Sequence, residues 1–267
     1  MRKFFALWLA ALAICYSGRA MADPQRVLFI GNSYTGVNDL PKVFGEVVKS
    51  ATHETPLITS ATPGGQTMHQ QLGQKPSLDL IDEGNWDVVV LQGNSLEAAI
   101  AETNEQIRAD FLDGASKLCD RVRAKSPKAK IYFYETWARH ADFWKSPQNV
   151  PDVGKDPAEM QARIRKWYAK AAELAKPEAV VPAGDAWELN YQNSNAIRLH
   201  AQDNSHPLFA GTYLVALVFY HTIHHPKELK ITWHGTLKAE QAKYLQGIAA
   251  KTVSQPQPKP ATVQPSR

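Results

Sequence analysis

Trp86-Asp87-Val88-Val89-Val90-Leu91 is almost continuously apolar and β-branched. A strand with one wet face alternates apolar and polar residues, so this run predicts a strand covered on both faces, as in a parallel sheet flanked by helices. Toward the N-terminus, Arg26 to Ile30 (R-V-L-F-I) reads as a second such strand that Gly31 breaks into a tight turn, and Pro56 to Ala61 as a third. Between them, Leu40 to Ala51 carries Val43, Phe44, Val47 and Val48 at helical spacing, with Pro41 suited to a first turn. A further helical stretch runs from Met68 through Leu72 toward Ile81. Toward the C-terminus, Gln92 to Ser95 closes the Trp86 strand. A helix from about Glu102 to Ala124, a strand Lys130 to Tyr134, a helix from about Pro157 to Leu174 and a short strand near Ala179 to Val181 follow. Strands alternating with helices of this length predict an α/β protein: a three-layer α/β/α sandwich around a central, mostly parallel five-stranded sheet.

The chain has 267 residues, 44% hydrophobic and 21% charged, ordinary material for one core. Its N-terminus reads differently. Arg2 and Lys3 lead into the apolar run Phe4 to Cys15, and Ala20-Met21-Ala22 supplies small residues at a cleavage spacing, which predicts a signal peptide over 1–22 and a mature start near Asp23. About a dozen apolar residues fall short of the roughly 20 that span a bilayer, so no stable membrane insertion is expected after cleavage. Ile14 stands where a lipidated Cys15 would need a small residue. The expectation is an exported protein, periplasmic or secreted, with one domain over 23–253. The Pro-rich tail over 254–267 is expected to be disordered.

Loss of Arg2, Lys3 and Arg19 takes the formal charge from +4 to +1, so the basic balance says little about partners. No Lys/Arg run or RNA-binding aromatic signature survives, and nucleic acid is not an expected partner. Cys119 would be the sole cysteine of the mature chain, which excludes an intrachain disulfide. It sits in the apolar pattern of Phe111, Leu112, Ala115, Leu118 and Val122 and reads as a buried structural thiol.

Chemistry is concentrated at the predicted strand ends. Gly31-Asn32-Ser33-Tyr34-Thr35 follows the first strand and would present Ser33 at the carboxyl edge of the sheet, where ligands bind in open α/β folds. A serine hydroxyl needs a base to become a nucleophile and donors to hold the oxyanion that forms. Asp203-Asn204-Ser205-His206-Pro207 offers a carboxylate three residues before an imidazole, at the start of an apolar helix through Ala216, Leu217 and Phe219. Taken alone, Asp203 could equally be the cap of that helix beside a surface histidine. Pro63-Gly64-Gly65-Gln66-Thr67 offers glycine N–H groups after the second strand, and Gln92-Gly93-Asn94 an amide after the Trp86 strand. Each is only a turn by itself. All four lie in order at the carboxyl ends of successive elements, which would converge on one crevice.

In these four blocks the sequence resembles the SGNH (GDSL-like) hydrolase superfamily over Val27 to about Phe219. I-G-N-S-Y-T resembles the family's G-D-S-x-T block, and D-N-S-H-P with the following A-G-T-Y resembles its D-x-x-H-P block. The resemblance implies Ser33 as nucleophile, His206 as general base and Asp203 as its orienting carboxylate. The oxyanion hole would come from the N–H groups of Ser33 and Gly65 and the side chain of Asn94. Gly64 competes with Gly65, the match of G-Q-T to the family's G-x-T/S deciding for Gly65. Two departures mark a divergent branch: Asn32 replaces the usual aspartate, and Gln92-Gly93-Asn94-Ser95 stands against the common G-x-N-D.

The resemblance implies a serine esterase acting through an acyl-enzyme, with no cofactor. Glu135 to Lys155 has no period and reads as a long loop whose Trp137 and Arg139, with His140, Phe143 and Trp144, are candidates to line a substrate groove or, equally, to pack the loop onto the sheet. Export and this aromatic loop favour a small ester or an acylated glycan as substrate, an O-acetyl ester above all. An O-acyltransferase acting on an envelope or secreted polysaccharide, and a non-catalytic carbohydrate-binding module, are the alternatives. His221, His224 and His225 have a spacing that can bind metal on a helix face. No carboxylate or cysteine accompanies them and Pro226 ends the helix, so no metal site is expected.

Overall fold

Five apolar runs become five strands in the computed structural model, which describes residues 23–145, 152–228 and 230–255. They are β1 (Arg26–Ile30), β2 (Leu57–Ala61), β3 (Val88–Leu91), β4 (Lys130–Tyr134) and β5 (Ala179–Val181). All pair in parallel, in the order β2-β1-β3-β4-β5. Successive side chains of a strand point to opposite faces, and in the central strands β1, β3 and β4 each face is dry. Val27, Phe29, Val88, Val90, Tyr132 and Tyr134 enter one core. Leu28, Ile30, Val89, Leu91, Ile131 and Phe133 enter the other. This double burial is why the strands carry no polar alternation.

The connections are α1 (Ser33–Gly36), α2 (Leu40–Thr52), α3 (Met68–Gln71), α4 (Lys75–Glu83), α5 (Ser95–Ile100), α6 (Glu105–Lys125), α7 (Pro157–Ala175), α8 (Ala183–Tyr191), α9 (Phe209–His224) and α10 (Ala239–Ser254). Residues of α2, α8, α9 and α10 fill the first core, and those of α3 to α7 the second. The α/β/α sandwich expected from the sequence is the fold observed, with every described strand pair parallel.

Boundaries differ where local chemistry intervenes. The stretch from Met68 toward Ile81 is two helices, because the chain turns at Gly73 and Pro76, which has no N–H to donate, starts α4. Trp86 and Asp87 stay outside β3: the Trp86 indole donates to the Leu80 carbonyl at 2.8 Å, and Asp87 accepts the Arg26 N–H at 2.8 Å. Helix α10 carries Ser254, one residue past the expected domain end. The expected signal segment and the tail beyond Gln255 lie outside the described residues.

Cys119 is buried in α6, and that burial pushes its thiol up to about 12, so it stays protonated. His221 and His224 belong to α9, where burial lowers both below the usual imidazole range; His224 packs on Tyr220 with ring centroids 5.2 Å apart.

Candidate active site

The sheet order reverses direction between β1 and β3, and in an open α/β sheet of this order the crevice beyond that switch point is where ligands bind. Ser33 follows β1 and Asn94 follows β3, so both stand at the switch point. Gly31 permits the turn after β1: a Cβ there would lie 2.7 Å from the Gln92 side-chain oxygen. That oxygen accepts the Asn32 N–H and the Thr35 hydroxyl, each at 2.9 Å. Asn32 uses both ends of its amide. Its Oδ1 accepts the Tyr34 N–H at 3.0 Å, and its Nδ2 donates to the Gln66 carbonyl at 3.0 Å. An aspartate cannot make the second bond, so the departure at Asn32 ties the serine turn to the glycine turn after β2.

Ser33, Asp203 and His206, 173 positions apart at the extremes of serine and histidine, meet in one line. The Ser33 hydroxyl lies 2.9 Å from His206 Nε2. His206 Nδ1 lies 2.5 Å from Asp203 Oδ2, while Asp203 Oδ1 accepts the N–H groups of Ser205 and His206 at 3.0 and 2.9 Å. Burial alone would raise the Asp203 carboxyl. The His206 ring and the two backbone donors outweigh it and hold the group below the usual carboxylate range. An ionised Asp203 accepting from Nδ1–H leaves the Nε2 lone pair facing the serine hydroxyl. Asp203 does not cap α9, whose N-cap is Leu208 without a side-chain bond. Its Oδ1 closes the turn around Asn204, which takes the left-handed conformation at φ +60.

Gly65 has φ +72, a conformation that favours glycine, whereas Gly64 is not among the residues of positive φ. The Gly65 carbonyl accepts Asn94 Nδ2 at 3.0 Å, so the turns after β2 and β3 are joined. Asn94 Oδ1 caps α5 through the Leu96 N–H at 2.9 Å. One Nδ2 hydrogen of Asn94 and the Gly65 N–H have no acceptor among the described residues.

The loop after β4 departs in part from expectation. Trp137 is 1% exposed and stacked on both faces, against Tyr34 at 4.4 Å and Trp187 at 3.9 Å between centroids. No sugar ring can stack on it. Its indole donates to the Ser205 carbonyl at 3.0 Å, which fixes the histidine turn from behind. Arg139 does reach the site, its guanidinium carbon 5.8 Å from the centroid of the Tyr34 ring. Phe143 and Trp144 pack against the second core.

Tyr34, Gln92, Ser95, Glu97 and Ser205 belong to the site and were not singled out as such from the sequence. The signal for three of them was adjacency, since Tyr34, Ser95 and Ser205 each neighbour a candidate residue. Glu97 is 4% exposed, and its Oε2 accepts the N–H groups of Met68 and Asn94, each at 3.2 Å. Burial pushes its carboxyl up to about 8, and Oε1 has no partner. Between about 4.5 and 8 the folded chain therefore holds a proton that the unfolded chain releases. The contribution of Glu97 to stability is full below that window and is lost as pH rises through it. Glu97→Gln keeps an acceptor and cannot ionise. Its stability relative to wild type should rise by at least about 1 kcal/mol between about pH 5 and about pH 9, read from urea midpoints, and a constant difference would show that Glu97 titrates normally.

No protein-family model matches the chain, and no curated protein matches its sequence. Solved structures do match. A DUF4886 family protein from Bacteroides uniformis superposes with a TM-score of 0.68 at 17% identity, over 86% of this chain and 95% of that one. A Parabacteroides merdae protein described as a GDSL-like lipase gives 0.55 at 14% identity, over 76% and 96%. A catalytic mutant of an acetylxylan esterase from Geobacillus stearothermophilus gives 0.53 at 14% identity, over 74% and 93%. The chain has the fold of the SGNH (GDSL-like) hydrolase superfamily.

Proposed function

We propose that the chain is a serine hydrolase that cleaves carboxylic esters through an acyl-enzyme on Ser33. The observation that carries this reading is the continuous hydrogen-bonded line from Asp203 through His206 to Ser33 at the switch point of the sheet. Ser33 Oγ attacks the ester carbonyl carbon while His206 Nε2 takes its proton. The oxyanion is held by the N–H groups of Ser33 and Gly65 and by the second Nδ2 hydrogen of Asn94. His206 then protonates the leaving alkoxide as the C–O bond breaks. Water attacks the acyl-enzyme, gives its proton to His206, and the acid leaves as Ser33 regains its hydrogen. Asp203 stabilises the imidazolium in both halves.

The acyl group in this reading is short, and an O-acetyl ester on carbohydrate is the natural substrate class. The acetylxylan esterase of the same fold supports that choice. The Arg2 to Ala22 pattern supports export with a mature N-terminus near Asp23, which intact-mass measurement of the exported protein checks. A panel of p-nitrophenyl esters from acetyl to palmitoyl, with acetylated xylan and acetylated alginate beside it, tests the substrate. Turnover should be greatest for acetyl and fall with chain length, and acetate should be released from a glycan. Preference for palmitoyl would overturn the short-acyl reading.

A further inference from the structure

Arg139 stands where the chain neighbours of three site residues meet. Tyr34 follows Ser33, Ser95 follows Asn94, and Ser205 precedes His206. Nη1 of Arg139 donates to the hydroxyls of Tyr34 and of Ser95, the latter at 3.1 Å, and the Tyr34 hydroxyl is bonded to that of Ser205 at 2.8 Å. These partners are neutral. Every Asp and Glu of the sequence from Asp23 onward lies within the described residues, and residues 1–22 contain none. Those near Arg139 are engaged elsewhere: Asp142 with Lys145 and Arg198, Asp156 with the Glu159 N–H, and Glu188 with Arg165. Among the described residues no carboxylate pairs with Arg139.

The two hydrogens of Nη1 are used by the two hydroxyls. Nε–H and Nη2–H have no acceptor among the described residues, and together they form one edge of the guanidinium. That edge matches a carboxylate through two parallel hydrogen bonds. Arg139 also lines a cavity of about 390 Å³ whose walls include Trp187, Tyr191 and His200. His200 adds no charge there: its ring is held between the Tyr191 hydroxyl and the Ala138 carbonyl. The cavity is thus largely apolar and aromatic; the carboxylates of Asp156 and Glu188 also line it, each held by its own partner, and Arg139 is the unpaired cation at its border. A partly buried cation without a counter-ion is expensive to desolvate further, and an anionic ligand removes that cost.

The geometry points to selection by Arg139 of esters that carry a carboxylate, which lies on the Nε/Nη2 edge while the adjoining apolar part of the substrate enters the aromatic cavity. This deepens the ester-hydrolase reading and rests on it. The test compares para-acetoxybenzoate with its methyl ester, for wild type, Arg139→Lys and Arg139→Met. Wild type should favour the acid in kcat/KM by about tenfold or more, the range of a charge-assisted hydrogen bond, and added salt should erode the preference. Arg139→Met should lose the ratio, whatever happens to either rate. Arg139→Lys keeps the charge without the fork and should retain part of it, which guards against a mere loss of fold. Equal ratios in wild type and Arg139→Met would overturn the proposal. If neither ester is turned over, the hydrolase reading fails separately, and calorimetry still decides: benzoate should bind wild type about tenfold more tightly than Arg139→Met, with no such difference for benzyl alcohol. Equal benzoate affinities would also overturn it.

Discussion

Ser33→Ala and His206→Ala should each lower kcat by roughly 10⁴-fold or more, and the double variant should be hardly worse than either. Nucleophile and base act on one proton in one step, so removing either removes the step. The 2.9 Å contact between Ser33 Oγ and His206 Nε2 is short enough for that transfer without rearrangement. Asp203→Asn should be milder, because nucleophile and imidazole both remain. Its amide has one acceptor where Asp203 uses two, so with Oδ1 kept on the Ser205 and His206 N–H groups the amide NH2 faces His206 Nδ1 and disfavours the tautomer whose Nε2 accepts from Ser33. Steady-state kinetics on p-nitrophenyl acetate reads all four variants. Additive losses in the double variant would mean that the two residues act in separate steps.

Asn94→Asp should lower kcat by at least about 10² to 10³ with little change in KM, because one oxyanion donor is removed and a carboxylate is set beside the developing charge. The choice of aspartate matters. Asn94 Oδ1 caps α5, and an alanine would lose that cap together with the donor, confusing stability with catalysis. Aspartate keeps the acceptor and removes both amide hydrogens, the one on the Gly65 carbonyl and the one left for the substrate. A loss within a factor of about three would place the donor elsewhere at the end of β3.

The layered sheet was legible because its central strands β1, β3 and β4 are dry on both faces, which leaves an apolar run that no amphipathic helix would show. Arg26 to Ile30, Lys130 to Tyr134 and Ala179 to Val181 were bounded by residue. Helices α5, α8 and α10 were not read from the sequence. α5 is a buried six-residue segment with no polar face to set a period, and α8 has little segregation of apolar and polar residues. The break before α4 was written in Gly73 and Pro76 and was overridden by the apolar spacing around them.

The candidate site was legible to the extent that its residues follow strands. Ser33, Asp203 and His206 were named from turns and resemblance, and the fold places them within hydrogen-bond reach of one another. What lies around them was not legible, since it depends on which turn packs on which. The exchange of partners among Asn32, Gln66 and Gln92 appears in sequence only as departures from a familiar pattern, although those residues join β1, β2 and β3 at their ends. From sequence, Trp137 reads equally as a sugar platform and as a residue that packs its loop onto the sheet. Only the stacking of Tyr34 and Trp187 on its two faces reveals it as a support.

Reaction of the folded protein with a fluorophosphonate, followed by peptide mass spectrometry, tests the central claim most directly, because only a serine activated by a neighbouring base reacts quickly with that reagent. Ser33 should carry one phosphonyl group per chain, and His206→Ala should abolish the labelling while leaving the protein folded. An unlabelled Ser33, or labelling of Ser33 that persists at the same rate in His206→Ala, would contradict a catalytic role for this serine and histidine.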